Sequence, residues 1–71
     1  VGVVVTYEKL LTELKKEIGP IAKIFLERAM SSLGITEINE ENYRDVLEVL
    51  KLNNSIREYV SEVERRLEKI S

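Results

Sequence analysis

The side chains best suited to chemistry in this 71-residue chain are carboxylates, and Glu37, Glu40, Glu41, Asp45 and Glu48 gather within one short stretch. Such a group could hold a hard cation, but it lacks the alternating Asp/Asn ligands and central glycine of a calcium loop. Two carboxylates could also share acid–base work if a cleft raised the pKa of one of them; short helices leave little room for that cleft. The chain has no histidine and no cysteine, which removes Cys/His zinc sites, disulfides, thiolate nucleophiles and the imidazole base that activates a serine. Gly2, Gly19 and Gly34 fit no phosphate-binding loop. These residues predict a protein that is not an enzyme, with no catalytic residue, no metal and no cofactor.

Cations offer the other chemistry. Lys15, Lys16, Lys23 and Arg28 fall around a Gly-Pro turn, where they could meet phosphates. Residues 1–35 carry five Lys/Arg against four Glu, and residues 36–71 carry six against nine acids, so neither half is strongly basic. Counterion release from four scattered charges gives modest affinity. Solvation, with a Lys23–Glu27 pair one helical turn apart, accounts for them equally well. A helix-turn-helix is disfavoured because Gly-Pro is too abrupt for its usual connection.

The elements that position these groups read as helices. Thr6 is suited to capping a helix over about 7–18, whose apolar stripe is Tyr7, Leu10, Leu11, Leu14 and Ile18. Gly19 and Pro20 end it and launch the next. Proline is tolerated at a first helical position, and the residue before it is pushed out of the α region. Gly19 is expected to form a left-handed cap, its N–H donating to the Lys15 carbonyl. The second helix, about 20–33, is expected to close at Gly34 in a Schellman motif with Met30 and Ile35 in contact. Its face of Ala22, Phe25, Leu26, Ala29, Met30 and Leu33 is widened by Ile21 and Ile24 beyond an ordinary amphipathic stripe. Either this helix is central, or one edge of it is covered by another chain.

Asn39 reads as the cap of a third helix, about 40–52, with Ile38 and Tyr43 spaced as a hydrophobic staple. Asn53-Asn54 interrupts it. Ser55 and Glu58 have capping-box spacing for a fourth helix, about 56–70. In that helix Ile56, Val60, Val63, Leu67 and Ile70 advance by fours and threes, a narrow seam that either lies on the bundle or faces another chain. Residues 1–5, β-branched and without helical period, read as a flexible lead or linker, and 6–71 as a single domain. Val1 in place of Met suggests a processed chain or a domain of a longer one.

The stretch Ile18-Gly19-Pro20-Ile21-Ala22, continued by Lys23-Ile24-Phe25-Leu26-Glu27-Arg28-Ala29, resembles a motif of small uncharacterised helical domains at the ends of bacterial and archaeal signalling proteins. In these, an I-G-P-I-A turn opens an apolar helix and further helices follow. The resemblance implies an accessory, non-catalytic role within a larger chain and carries over no site residues.

The expectation is therefore an all-α protein, a small bundle of four short helices. It would serve as an interaction or dimerisation module, as a homodimer or with another helical domain. Its turns are set by Gly19, Pro20, Gly34, Asn39, Ser55 and Glu58. Its contact surface would comprise Ile21 and Ile24 together with the Ile56, Val60, Val63, Leu67 and Ile70 seam. The alternative is a small nucleic-acid-binding regulator using the cations near the Gly-Pro turn. Apolar runs too short for a membrane span and the lack of a signal-peptide pattern point to the cytoplasm. Charged residues, 34% of the chain and nearly all Glu, Lys or Arg, are compatible with a thermophilic source.

Overall fold

Thr6 opens the first helix through its side chain. In the computed structural model, which describes residues 5–70 and only the backbone of Ile70, the Thr6 hydroxyl accepts a hydrogen bond from the Lys9 N–H at 3.1 Å. That satisfies a donor which a helix N-terminus otherwise leaves without an internal partner. Helix α1 runs Tyr7–Ile18. Leu10 and Leu14 are wholly buried, with Tyr7, Leu11 and Ile18 half-buried beside them. The expectation of a flexible lead fails at its last residue, because Val5 is 3% exposed. Val5 and Leu10 flank the cap at the spacing of a hydrophobic staple, so Val5 belongs to the core. Residues 1–4 of that expectation lie outside the described residues.

The joint after α1 is tighter than a proline at the head of an α-helix would make it. Gly19–Ile21 form a single 3-10 turn, closed by the Ala22 N–H donating to the Gly19 carbonyl, and α2 begins only at Ala22 and ends at Leu33. The Gly19 N–H does donate to the Lys15 carbonyl, but at φ 76° and ψ −158° the residue is not in the left-handed helical region. Two demands meet there. A positive φ ends the helix, while Pro20 demands an extended ψ of its predecessor. The compromise lies close to the mirror image of polyproline geometry, about φ −75° and ψ +145°, and glycine is the residue that adopts it freely.

At the far end of α2, Gly34 is left-handed, with φ 69° and ψ 29°. Its N–H donates to the Ser31 carbonyl and the Ile35 N–H to the Met30 carbonyl, both at 3.1 Å. This is the two-bond Schellman pattern.

Helix α3, Tyr43–Lys51, starts later than residue 40, and the reason is the turn that precedes it. Asn39 Oδ1 accepts from the N–H groups of Glu41 and Asn42 at 2.8 and 3.0 Å, while Asn42 Oδ1 accepts from the Asn39 N–H at 2.9 Å. The pair is a reciprocal box with asparagine in the place of the usual glutamate. The Asn42 amide also donates to the Glu37 carbonyl at 2.9 Å. Holding that bond keeps residues 40–42 in a turn. Ile38 and Tyr43 are both buried on either side of it.

Helix α4 spans Arg57–Ile70. The expected box of Ser55 and Glu58 does not form, because the Ser55 N–H donates to Asn53 Oδ1 at 2.9 Å. Asn53 therefore organises this turn, accepting from Ile56 N–H through its carbonyl as well. Arg57 Nε reaches back to the Lys51 carbonyl at 3.0 Å, satisfying an acceptor at the end of α3.

All described secondary structure is helical. Helix α1 packs on α2, α2 on α3, α3 on α4 and α4 on α1, so the helices close a ring around a shared core. In that ring α2 is no more central than its neighbours. It buries Ala22, Leu26, Ala29 and Met30, and Phe25 is only half-buried against the core. The radius of gyration is 11.0 Å, matching the roughly 11 Å of a fully packed chain of this length.

Candidate functional site

Two places in the ring stand apart from ordinary core and ordinary surface. The first is the seam between α1 and α4. Glu13, on the flank of the α1 stripe, is 4% exposed. Its Oε1 accepts from Arg66 Nε at 3.0 Å and its Oε2 from Lys16 Nζ at 3.0 Å, with Lys9 Nζ at 3.7 Å. Arg66 also donates to Glu17 at 2.7 Å and to the Glu13 carbonyl at 3.3 Å. Burial alone would raise the Glu13 carboxyl, but hydrogen bonds from Lys16 and Arg66 outweigh it and hold the group below its usual range. It is thus a fixed anion with no proton to offer near neutrality, which suits a structural latch and not a general acid.

A smaller junction joins α3 to α4, where the Lys51 ammonium contacts Glu64 and lies 3.3 Å from Glu48. The carboxylates raise the Lys51 pKa, the Glu64 hydrogen bond contributing most. Sequence reading placed neither junction. The signal was an acid flanking one apolar stripe and a base flanking another. Which stripes meet is decided only by the fold.

The second place is the outer side of α2. Ile24, and Ile21 in the 3-10 turn that leads into the helix, are 53% and 46% exposed. Beside them Ile24, Glu27, Arg28, Ser31 and Ser32 line a shallow depression. Phe25, Arg28, Ala29 and Ser32 face Val49, Leu50, Asn53 and Ile56 across a second groove. Glu27 is held by the Tyr7 hydroxyl, which donates to it at 3.2 Å, in place of the expected Lys23 partner.

The remaining expected contact residues are not on this surface. Ile56, Val60, Val63 and Leu67 are 6%, 0%, 0% and 2% exposed. The α4 seam is consumed inside the chain, packed toward α1 and α3, and offers no second interface; the Ile70 side chain lies outside the described residues. Of the cations near the Gly-Pro turn, Lys16 is engaged by Glu13. Among the described residues, no three acidic side chains converge as a metal site, Glu37, Glu40, Glu41, Asp45 and Glu48 included. No helix among them is long and apolar enough to cross a membrane.

The fold and these surfaces define a small all-α protein whose charged groups lock helix seams and whose second helix leaves Ile24 exposed, beside Ile21 in the turn before it. The chain belongs to the family of an uncharacterised protein from the thermophilic archaeon Archaeoglobus fulgidus, 63% identical over 65 residues that cover 92% of this chain and 96% of the relative. The crystal structure of Archaeoglobus fulgidus Af1502 is similar to it with a TM-score of 0.92 and 61% identity, over 94% of this chain and 98% of that one. No family model matches the chain.

Proposed function

We propose that this protein is a non-catalytic interaction module, its helices acting as one bundle that presents the outer side of α2 to another protein in the cytoplasm. The observation that carries the reading is the contrast along α2. Ala22, Leu26 and Ala29 are buried, while Ile24 on the opposite side of the helix, with Ile21 in the turn just before it, stands about half exposed. Stranding two isoleucines in water forgoes on the order of 1 kcal/mol each, and a bare apolar patch rimmed by polar groups is the usual mark of a contact surface. The non-catalytic part is supported by Glu13, whose carboxylate is fully engaged by cations.

A photo-reactive amino acid placed at Ile24, in protein expressed in its native host, tests this. The expected result is a covalent adduct with protein from position 24 and none from a control at Glu41 in the α2–α3 connection. Equal labelling from both positions, or none from either, overturns the proposal.

A further inference from the structure

This inference rests on the reading of α2 as a contact face and names its occupant. We propose that a second copy of this chain sits on α2, antiparallel, about a two-fold axis passing near residue 26. The exposed positions Ile24, Arg28 and Ser31 on α2 advance by four and three residues along one stripe, and Ile21, in the 3-10 turn just before the helix, extends that stripe by three more. Reversing that line superimposes it on itself. The partner's Ser31 comes level with Ile21 and the partner's Arg28 with Ile24, so each isoleucine meets either a small residue or the aliphatic stem of an arginine. Repetition of one patch by a two-fold axis is what an isologous dimer requires.

Charge supplies the argument for a second copy over an unrelated apolar partner. Glu27 and Arg28 are adjacent, exposed and opposite in sign at the centre of the seam, and both line the depression that Ile24 borders. In the antiparallel register Arg28 stands three residues, about 4.5 Å along the axis, from the partner's Glu27, within reach of its guanidinium. The two glutamates fall on the same flank of the pair, and the two arginines between them neutralise it. The Tyr7 hydroxyl, donating to Glu27 at 3.2 Å, holds that carboxylate beside the seam. A single helix seam is narrower than the roughly 800 Å² per partner of a standard complex, so the dimer is reversible and depends on concentration.

Sedimentation velocity on the full chain, from micromolar to millimolar, reads this directly. The parent should pass from monomer to dimer. Arg28→Glu leaves two acids on each copy and Glu27→Arg two bases, so each variant alone should shift the midpoint toward monomer by at least about tenfold. Mixing the two should restore a dimer containing one of each. Thermal melts confirm that both variants fold; should Glu27→Arg fail through loss of the Tyr7 bond, Glu27→Gln replaces it, with the shift toward monomer retained. A parent that stays monomeric at millimolar concentration, single variants that dimerise like the parent, or an Arg28→Glu and Glu27→Arg mixture that stays monomeric would each refute the second-copy assignment. If the parent is monomeric while position 24 still cross-links to a different protein, self-association falls and the contact-face reading stands. If position 24 cross-links to nothing, both fall.

Discussion

Removing Arg66 should cost more than removing the carboxylate it holds. Arg66→Met keeps much of the aliphatic stem but leaves Glu13, whose side chain is 6% exposed, with Lys16 as its main partner. The Lys16 side chain is 61% exposed, and a pair of that kind is screened and weak. An underpaired buried carboxylate costs several kcal/mol in the limit of full burial. With Lys16 and Lys9 still nearby, we expect about 2–3 kcal/mol. Glu13→Gln leaves Arg66 with Glu17, and Arg66 is 34% exposed, so water can serve its freed donors. The expected loss there is about 1–2 kcal/mol.

For a domain of this size each kcal/mol moves the midpoint by roughly 4–8 °C, so Arg66→Met should melt about 8–24 °C below the parent at neutral pH. Acid supplies the second readout. Glu13 has a folded pKa below its unfolded one, so its contribution is complete above the unfolded carboxylate range. It is lost as pH falls through the depressed folded value. Melts taken from pH 7 down to pH 3 should therefore converge, with the parent losing more than Glu13→Gln. A Glu13→Gln melt lower than that of Arg66→Met at neutral pH, or parallel pH profiles for parent and Glu13→Gln, would refute the reasoning.

The two glycines should respond differently to the same replacements. Gly19→Asn should cost about 1–3 kcal/mol because its backbone lies outside the left-handed region that asparagine tolerates, whereas Gly34→Asn should cost under about 1 kcal/mol; chemical denaturation of both variants checks this. Open space surrounds a Cβ at either glycine, so the difference is one of backbone alone. At the α3–α4 turn, Asn53→Ala should lose about 1 kcal/mol and Ser55→Ala close to none, the order being read from urea midpoints.

Periodicity located the helices because each buries one stripe: Leu10 and Leu14 on α1, Val46, Leu47 and Leu50 on α3, Val60, Val63 and Leu67 on α4. It also marked Ile21 and Ile24 as surplus. It could not say whether the α4 seam faced its own chain or another, since a seam looks the same in both cases and only the closing of the ring by α1 decides. Glu13 was hidden for a related reason. A charge on the flank of a stripe reads as solvated until a base from a distant helix is brought beside it. The start of α3 was placed too early, and the residue that organises the turn into α4 was misassigned, because several side chains compete for the same few N–H groups. Asn42 and Asn53 prevailed over simpler capping schemes through bonds that the spacing of Ser55 and Glu58 did not reveal.

The two ion-pair junctions differ in the length of chain they span, and this bears on the order in which the protein assembles. Lys51 meets Glu64 across 13 residues, while Arg66 meets Glu13 across 53. Two further doublings of loop length raise the closure entropy by about 1.2 kcal/mol, so the α3–α4 hairpin can form early and the α1–α4 seam closes after the intervening helices have brought its sides together. An interaction made after the transition state governs unfolding and leaves folding nearly untouched. The Arg66 latch should accordingly set how long a folded molecule survives, with little influence on how quickly it is made.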